Sequence, residues 1–207
     1  MSCPTKEHEK EMHRVIKWVI DHPTVGLRIN PKIRRDKDGN LIWYMVGICD
    51  STWGSKKDDG RSVTGYILYL LGVPIAWKSK GQPMVALSSS EAEYVAISEL
   101  VKEILFAKQI LQDFGITLEL PIKIYVDNIG AIQMMRNNSV SAGTRHVNVR
   151  YHFVRELHGE VIEMYFVKTD DNESDMLTKN ATQKEFEKHS PHLVAEVPPE
   201  LIAKIRK

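Results

Sequence analysis

Apolar and polar positions change their spacing several times along the chain, and each change marks an element. Between Lys6 and Ile20, the residues Met12, Val15, Ile16, Val19 and Ile20 recur at three- and four-residue steps among charges, with Pro23 just beyond as a stop. This spacing predicts an amphipathic helix. Gly26 to Asn40 is polar, contains Pro31 and ends in the turn signal Asp38-Gly39-Asn40, which makes it a connector. From Leu41 the texture changes. Leu41 to Asp50, Gly65 to Leu71 and Val73 to Lys78 are rich in β-branched and aromatic residues, and a polar loop and Gly72 separate them, so they predict successive strands. Ser88 to Phe114 carries Val95, Ala96, Ile97, Leu100, Val101, Ile104, Ala107, Ile110 and Leu111 at helical spacing and stops at Gly115.

Beyond that helix, Ile122, Ile124 and Val126 alternate with Lys123 and Tyr125 in strand fashion, and Asn128 to Arg136 reads as a short helix. Asn137 to Gly143 is a loop. Thr144 to Leu157 sets Val147, Tyr151 and Val154 on one helical face, Val161 to Val167 is a strand, and Asn172 to Lys188 reads as a final helix. The order βββαβααβα belongs to the α/β class. The tail from His189, with Pro191, Pro198 and Pro199, is weakly patterned and is expected to have no role in the fold. The expected organisation is a helix and connector over residues 1–40, an α/β domain over 41–188 and a tail over 189–207.

Composition narrows the class. Hydrophobic residues make up 43% and charged residues 27% of the 207, which suits a folded globular chain rather than a disordered one. Cys3 and Cys49 are the only cysteines, too few for a disulfide framework or a four-ligand zinc site, so a reducing, intracellular setting is expected. No apolar stretch approaches the ~20 residues of a membrane helix, and no membrane association is expected. With 28 Lys and Arg against 27 Asp and Glu, the net charge is +1, so any attraction for nucleic acid must be local.

The candidate chemistry lies in acids at element boundaries. Asp50 closes the run Tyr44 to Cys49, and Asp127 closes Ile124-Tyr125-Val126, which puts both at strand ends. Each has an ordinary explanation as a strand-ending or capping residue. Glu93 is more telling. Steps of three and four residues from it reach Ala96, Ile97, Leu100 and Ile104, the face that must meet a sheet, whereas Glu91 steps to Tyr94, Val95, Ser98 and Lys102. A carboxylate at the head of a core-facing stripe is costly unless paired. The competing reading is a capping box, Ser90-x-x-Glu93, although Ser88-x-x-Glu91 is an equally good one and would leave Glu93 free. Asp175 follows the polar run Asp170 to Ser174 and opens the expected last helix, where first-turn acids are favoured. Four such acids gathered at one sheet edge would repel unless protonated or bound to cations. Mg²⁺ fits this, since hard oxygen ligands suit it and two such ions about 3.5–4 Å apart assist phosphodiester hydrolysis.

A partner follows from local charge. Asn128 to Arg155 contains no Asp or Glu and carries Arg136, Arg145, Arg150 and Arg155, together with His146 and His152. Such a patch holds phosphates, and Lys78, Lys80 and Gln82 can extend the track. The competing reading is a solvated helix face balanced by acids elsewhere. Trp43, Trp53 and Trp77 read as core or rim packing rather than base-stacking platforms.

These motifs share an order and spacing with a known family. Gly47 to Asp50 with Trp53, Asp58 to Tyr66, Trp77-Lys78-Ser79-Lys80, Leu87 to Tyr94, Val126-Asp127-Asn128, Thr144 to Phe153 and Ser174 to Lys179 resemble the ribonuclease H domain of copia-type retrotransposon polyproteins. The resemblance covers about Leu41 to Lys188, and the segment Pro4 to His8 with its helix resembles the end of the reverse transcriptase region. It implies a ribonuclease H-like fold, with a mixed five-stranded sheet flanked by helices. It also implies cleavage of the RNA strand of RNA/DNA hybrids with two Mg²⁺ ions, for which Mn²⁺ can substitute. By position, the family's metal-binding acids fall on Asp50, Glu93, Asp127 and Asp175; hybrid contacts are expected at Lys78, Lys80, Asn128, Arg136, Arg145, His146, Arg150 and His152, with His146 and His152 serving substrate contact or packing. The implied setting is a polyprotein with its reverse transcriptase, in a cytoplasmic virus-like particle or in the nucleus.

Two departures stand out. The family's second acid, two residues after the first, is replaced by Thr52, and the loop Lys168 to Ser174 lacks the histidine that many cellular relatives carry. Asp170, Asp171 or Glu173 is the expected substitute in product release. A catalytically silent tether that binds hybrid is the rival reading. A transposase or integrase core is disfavoured, because it would place Glu on the last catalytic helix and Asp earlier.

Overall fold

The structure, a computed structural model of the chain, describes residues 4–55, 60–136 and 152–198. It divides into a larger unit, Ile29–His189, and a smaller one formed by the two chain ends, up to Arg28 and from Ser190 on. The larger unit is built on β2 (Met45–Thr52), β3 (Val63–Leu70), β4 (Val73–Gly81), β5 (Ile122–Val126) and β6 (Ile162–Phe166). They form one sheet in the order β4-β3-β2-β5-β6. β2, β3 and β4 run antiparallel, whereas β2 with β5 and β5 with β6 run parallel. The sheet is the mixed five-stranded one that the motifs imply. Leu71 and Gly72 alone join β3 to β4, both at positive φ (51° and 76°), as a two-residue hairpin turn requires.

Helix α2 (Ser89–Asp113) covers the sheet. Its stripe Ile97, Leu100, Val101 and Ile104 is fully buried in one core with Ile122, Ile124, Val126, Ile162 and Met164. The helix can approach closely because Gly47 lies beneath it, and a Cβ there would stand 2.8 Å from Leu100 Cδ2. Helix α3 (Ile129–Arg136) and the helical residues 152–157 (α4) link β5 to β6 and add Ala131, Met135 and Val154 to that core. The expected loop 137–143 and the start of the helix expected from Thr144 lie outside the described residues.

The single helix expected over Asn172 to Lys188 is not there. Two short 3-10 turns, Thr169–Asp171 and Glu173–Leu177, come first, and helix α5 (Gln183–Leu193) starts only afterwards. The cause is tertiary contact. The second turn lies directly on β3, where a Cβ on Gly65 would meet Ser174 O at 2.8 Å and Leu177 Cβ at 3.0 Å. α5 has its own start signal, Thr182 to Glu185: Glu185 N donates to Thr182 Oγ1, and Thr182 N donates to Glu185 Oε2.

The smaller unit holds the expected amphipathic helix, α1 (Lys6–Asp21), capped at Thr5. It also corrects the reading of the tail. β7 (Val194–Glu196) pairs antiparallel with β1 (Val25–Leu27), inside the stretch expected to be a connector. Both strands have three residues, too short for alternation to announce them.

Candidate active site

Adjacent elements deliver three acids to one point. Asp50 lies in β2 opposite Gly65 of β3. Asp127 directly follows β5, the parallel neighbour of β2 on its other side. Glu93 lies in the second turn of α2 and is 4% exposed. One carboxylate oxygen from each of Asp50, Glu93 and Asp127 lies within 4.8 Å of the other two. The capping alternative for Glu93 is resolved by its neighbours: Ser88 accepts from Glu91 N, and the Glu91 carboxylate accepts from Leu87 N. That box leaves Glu93 to face the sheet. Its Oε1 accepts from both the backbone N–H and the hydroxyl of Ser51 (2.9 and 3.0 Å), while its Oε2 is buried without a hydrogen-bond partner.

Asp175 stands outside that close triad, on the 3-10 turn rather than at a helix start, with Oδ2 held by Lys179 Nζ at 2.8 Å. It is near enough for its charge to act on both Asp50 and Asp127. Thr178 joins the turn to β2: its hydroxyl lies 2.5 Å from Asp50 Oδ2 and 2.9 Å from the carbonyl oxygen of Asp175. The Thr169 and Asn172 side chains favour the ionised form of Asp127.

Crowding and burial set the electrostatics. Burial, reinforced by the charges of Asp50 and Asp127, pushes the Glu93 carboxyl up to about 9. Burial likewise raises Asp50 to about 6, with Asp127 and Asp175 adding to it and the Thr178 hydroxyl opposing it. Asp127 is raised by burial too, against its hydrogen bonds. Cys49, fully buried beside these acids, has its thiol pushed well above the ordinary range, primarily by burial, so it behaves as a small core residue. Carboxylates packed this closely are either protonated or neutralised by a cation. The all-oxygen donor set and the orphaned Glu93 Oε2 suit a hard divalent ion.

The residues expected to touch nucleic acid fare unevenly. Lys78 is engaged by Glu99 at 3.1 Å and sits over the Tyr66 ring, whereas Lys80 is exposed at the end of β4. Asn128 Oδ1 caps α3 by accepting from Ala131 N, and it also accepts from the Ser90 hydroxyl, joining the starts of α2 and α3. Arg136 and His152 are exposed. Arg155, counted in the basic stretch, donates to the carbonyls of Met134 and Met135 and so closes the end of α3. Arg145, His146 and Arg150 lie outside the described residues. Of the substitutes expected for the missing histidine, Glu173 accepts from the Tyr69 hydroxyl and Asp171 pairs with Lys188. Trp43 packs against the core as expected, but Trp53 and Trp77 are more than half exposed (54% and 57%).

Sequence reasoning did not single out Ser51, Asn172, Thr178 or Lys179 as supports of the acids. The spacing Asp175-x-x-Thr178-Lys179 and the cap signal Asn172-x-Ser174 were the available clues.

No family model matches the chain. Among solved structures it resembles LC11-RNase H1, isolated from compost by a metagenomic approach, with a TM-score of 0.51 and 13% identity over 68% of this chain and 96% of that one. The fold is that of a ribonuclease H. In sequence, the chain is 32% identical over 201 residues to the retrovirus-related Pol polyprotein from transposon RE1 of Arabidopsis thaliana, a match over 96% of this chain. It is also 32% identical over 191 residues to that from transposon TNT 1-94 of Nicotiana tabacum, a match over 89% of this chain. These homologues at 32% identity are retrovirus-related Pol polyproteins of copia-type transposons, and the chain spans 13% of their length.

Proposed function

We propose that the chain is the ribonuclease H of a copia-type retroelement and hydrolyses the RNA strand of RNA/DNA hybrids during reverse transcription. The observation that carries this reading is the convergence of Asp50, Glu93 and Asp127 from β2, α2 and β5, with Glu93 Oε2 buried and free. On this reading these three acids, together with Asp175, would hold two Mg²⁺ ions. Bound there, the ions would supply activation of water and stabilisation of the leaving oxygen in phosphodiester hydrolysis. The chain's own groups do the arranging. Ser51 fixes one oxygen of Glu93, Thr178 fixes one oxygen of Asp50, and Lys179 pairs with Asp175.

Hybrid lies across the rim beside the acids, its phosphates met by Lys80, Arg136 and His152 among the described residues and by Arg145, His146 and Arg150 from the same basic stretch. Lys78 joins them only by leaving Glu99. The reverse transcriptase region of the polyprotein is the partner that delivers the hybrid. Cleavage of a labelled hybrid in Mg²⁺ by the native chain and by Asp127→Asn tests the reading. The nuclease account expects cutting only by the native chain, whereas equal inertness of the two supports the silent tether.

A further inference from the structure

Asn172 is fully buried, although it sits between two short 3-10 turns at the rim of the sheet. Its side chain hydrogen-bonds two separate elements. The amide Nδ2 donates to the carbonyl oxygen of Cys49 at 3.1 Å, the residue that precedes Asp50 in β2. The side chain also favours the ionised form of the Asp127 carboxylate, after β5. Oδ1 accepts from Ser174 N at 3.1 Å and from Ser174 Oγ at 2.6 Å, which fixes the turn that carries Asp175. The amide nitrogen and the carbonyl oxygen account for all of these bonds. A cap of the turn alone would need only the oxygen; the amide end reaches away from the turn to the strand that carries Asp50.

We propose that Asn172 is the positioning residue of the acid cluster: it sets the Asp175 turn against the Asp50 strand, and so determines how tightly the cluster holds a divalent cation. The inference rests on the reading that these acids bind Mg²⁺. Groups that orient metal ligands from behind typically change metal affinity by about 10–100-fold when removed. A hydroxyl at position 172 still reaches Ser174 N, but it is too short to hold the Cys49 carbonyl as well. Asn172→Ser therefore keeps the local cap and removes the long-range bond.

Mg²⁺ binding to the purified full chain, measured calorimetrically without nucleic acid, tests this alongside circular dichroism to establish folding. Asn172→Ser is expected to fold, to bind Mg²⁺ about 10–100-fold more weakly, and to regain cleavage when Mg²⁺ is raised, with the KM for hybrid unchanged. A folded variant with the native isotherm overturns the proposal. Should Asn172→Ser fail to fold, Ser174→Ala removes the 2.6 Å bond that orients the amide; a weakened isotherm then supports the proposal and a native one overturns it. A native chain that takes up no Mg²⁺ fails at the earlier step, and sinks the metal reading before any variant is compared.

Discussion

Glu93 pairs the deepest burial in the cluster with the least complete hydrogen bonding: one oxygen is clamped by Ser51 and the other is buried with no donor. An unpaired buried acid is tolerated in two ways, as a neutral carboxyl or as a ligand. Glu93→Gln keeps the shape, and its amide oxygen can still accept from Ser51, but the charge is gone. Hybrid cleavage in Mg²⁺ is expected to fall by more than about 100-fold, beyond the cost of removing a supporting group, with the fold intact by circular dichroism.

The same burial makes stability depend on pH. Glu93 rises from 4.5 to about 9 and Asp50 from 3.8 to about 6 in the folded chain, so between these values the folded state holds more protons than the unfolded one. Without metal, unfolding free energy must therefore fall as pH climbs from about 4 through 6 toward 9. Divalent ions favour the deprotonated acids and oppose that loss. Thermal melts should show Tm falling with pH in chelator and a larger rise with Mg²⁺ at pH 8 than at pH 5.5; a pH-independent Mg²⁺ effect would contradict the titration of these carboxyls.

At the scale of elements, β2, β3 and β4 were legible from their β-branched and aromatic richness, β5 from its alternation and α2 from its helical spacing, and Glu93 stood out because it fell in phase with Ile97, Leu100 and Ile104. The segment carrying Asp175 was misread for a physical reason. Its turns are held by Asn172, by Thr178 and by the close approach to Gly65, contacts with residues more than a hundred positions away that leave no periodic trace. β1 and β7 were lost for want of length. Gly65 provides the test at this scale. In Gly65→Ala the new Cβ would stand 2.7 Å from Thr178 Cγ2 and 2.8 Å from Ser174 O, so the turn must lift. Cleavage should drop about tenfold or more, in line with loss of a supporting contact, while hybrid binding stays near native; full activity would show that the turn's seat on β3 does not matter. Leu100 serves as the contrasting site, since it is fully buried in the core. Leu100→Ala should cost about 2–5 kcal/mol of stability by chemical denaturation.

Over the whole molecule the charge is nearly balanced, +1 in 207 residues, so affinity for a polyanion depends on where the cations lie. Among the described residues no helix is long and apolar enough to cross a membrane. Arg136, exposed at the end of α3, is the described arginine of the basic stretch that is open to solvent, since Arg155 is turned onto the carbonyls of Met134 and Met135. Arg136→Ala should weaken hybrid binding and reduce the slope of log affinity against log salt by about 1. An unchanged slope would remove Arg136 from the phosphate track.

The central claim is that acids from separate strands and a helix meet on shared divalent ions. A Mg²⁺ titration of RNA/DNA hybrid cleavage by the purified chain tests it most directly. Cutting confined to the RNA strand, absent in chelator and rising to a plateau with Mg²⁺, is the predicted result. Cleavage that persists in chelator, or none at any Mg²⁺ concentration by a chain that still binds hybrid, would contradict it.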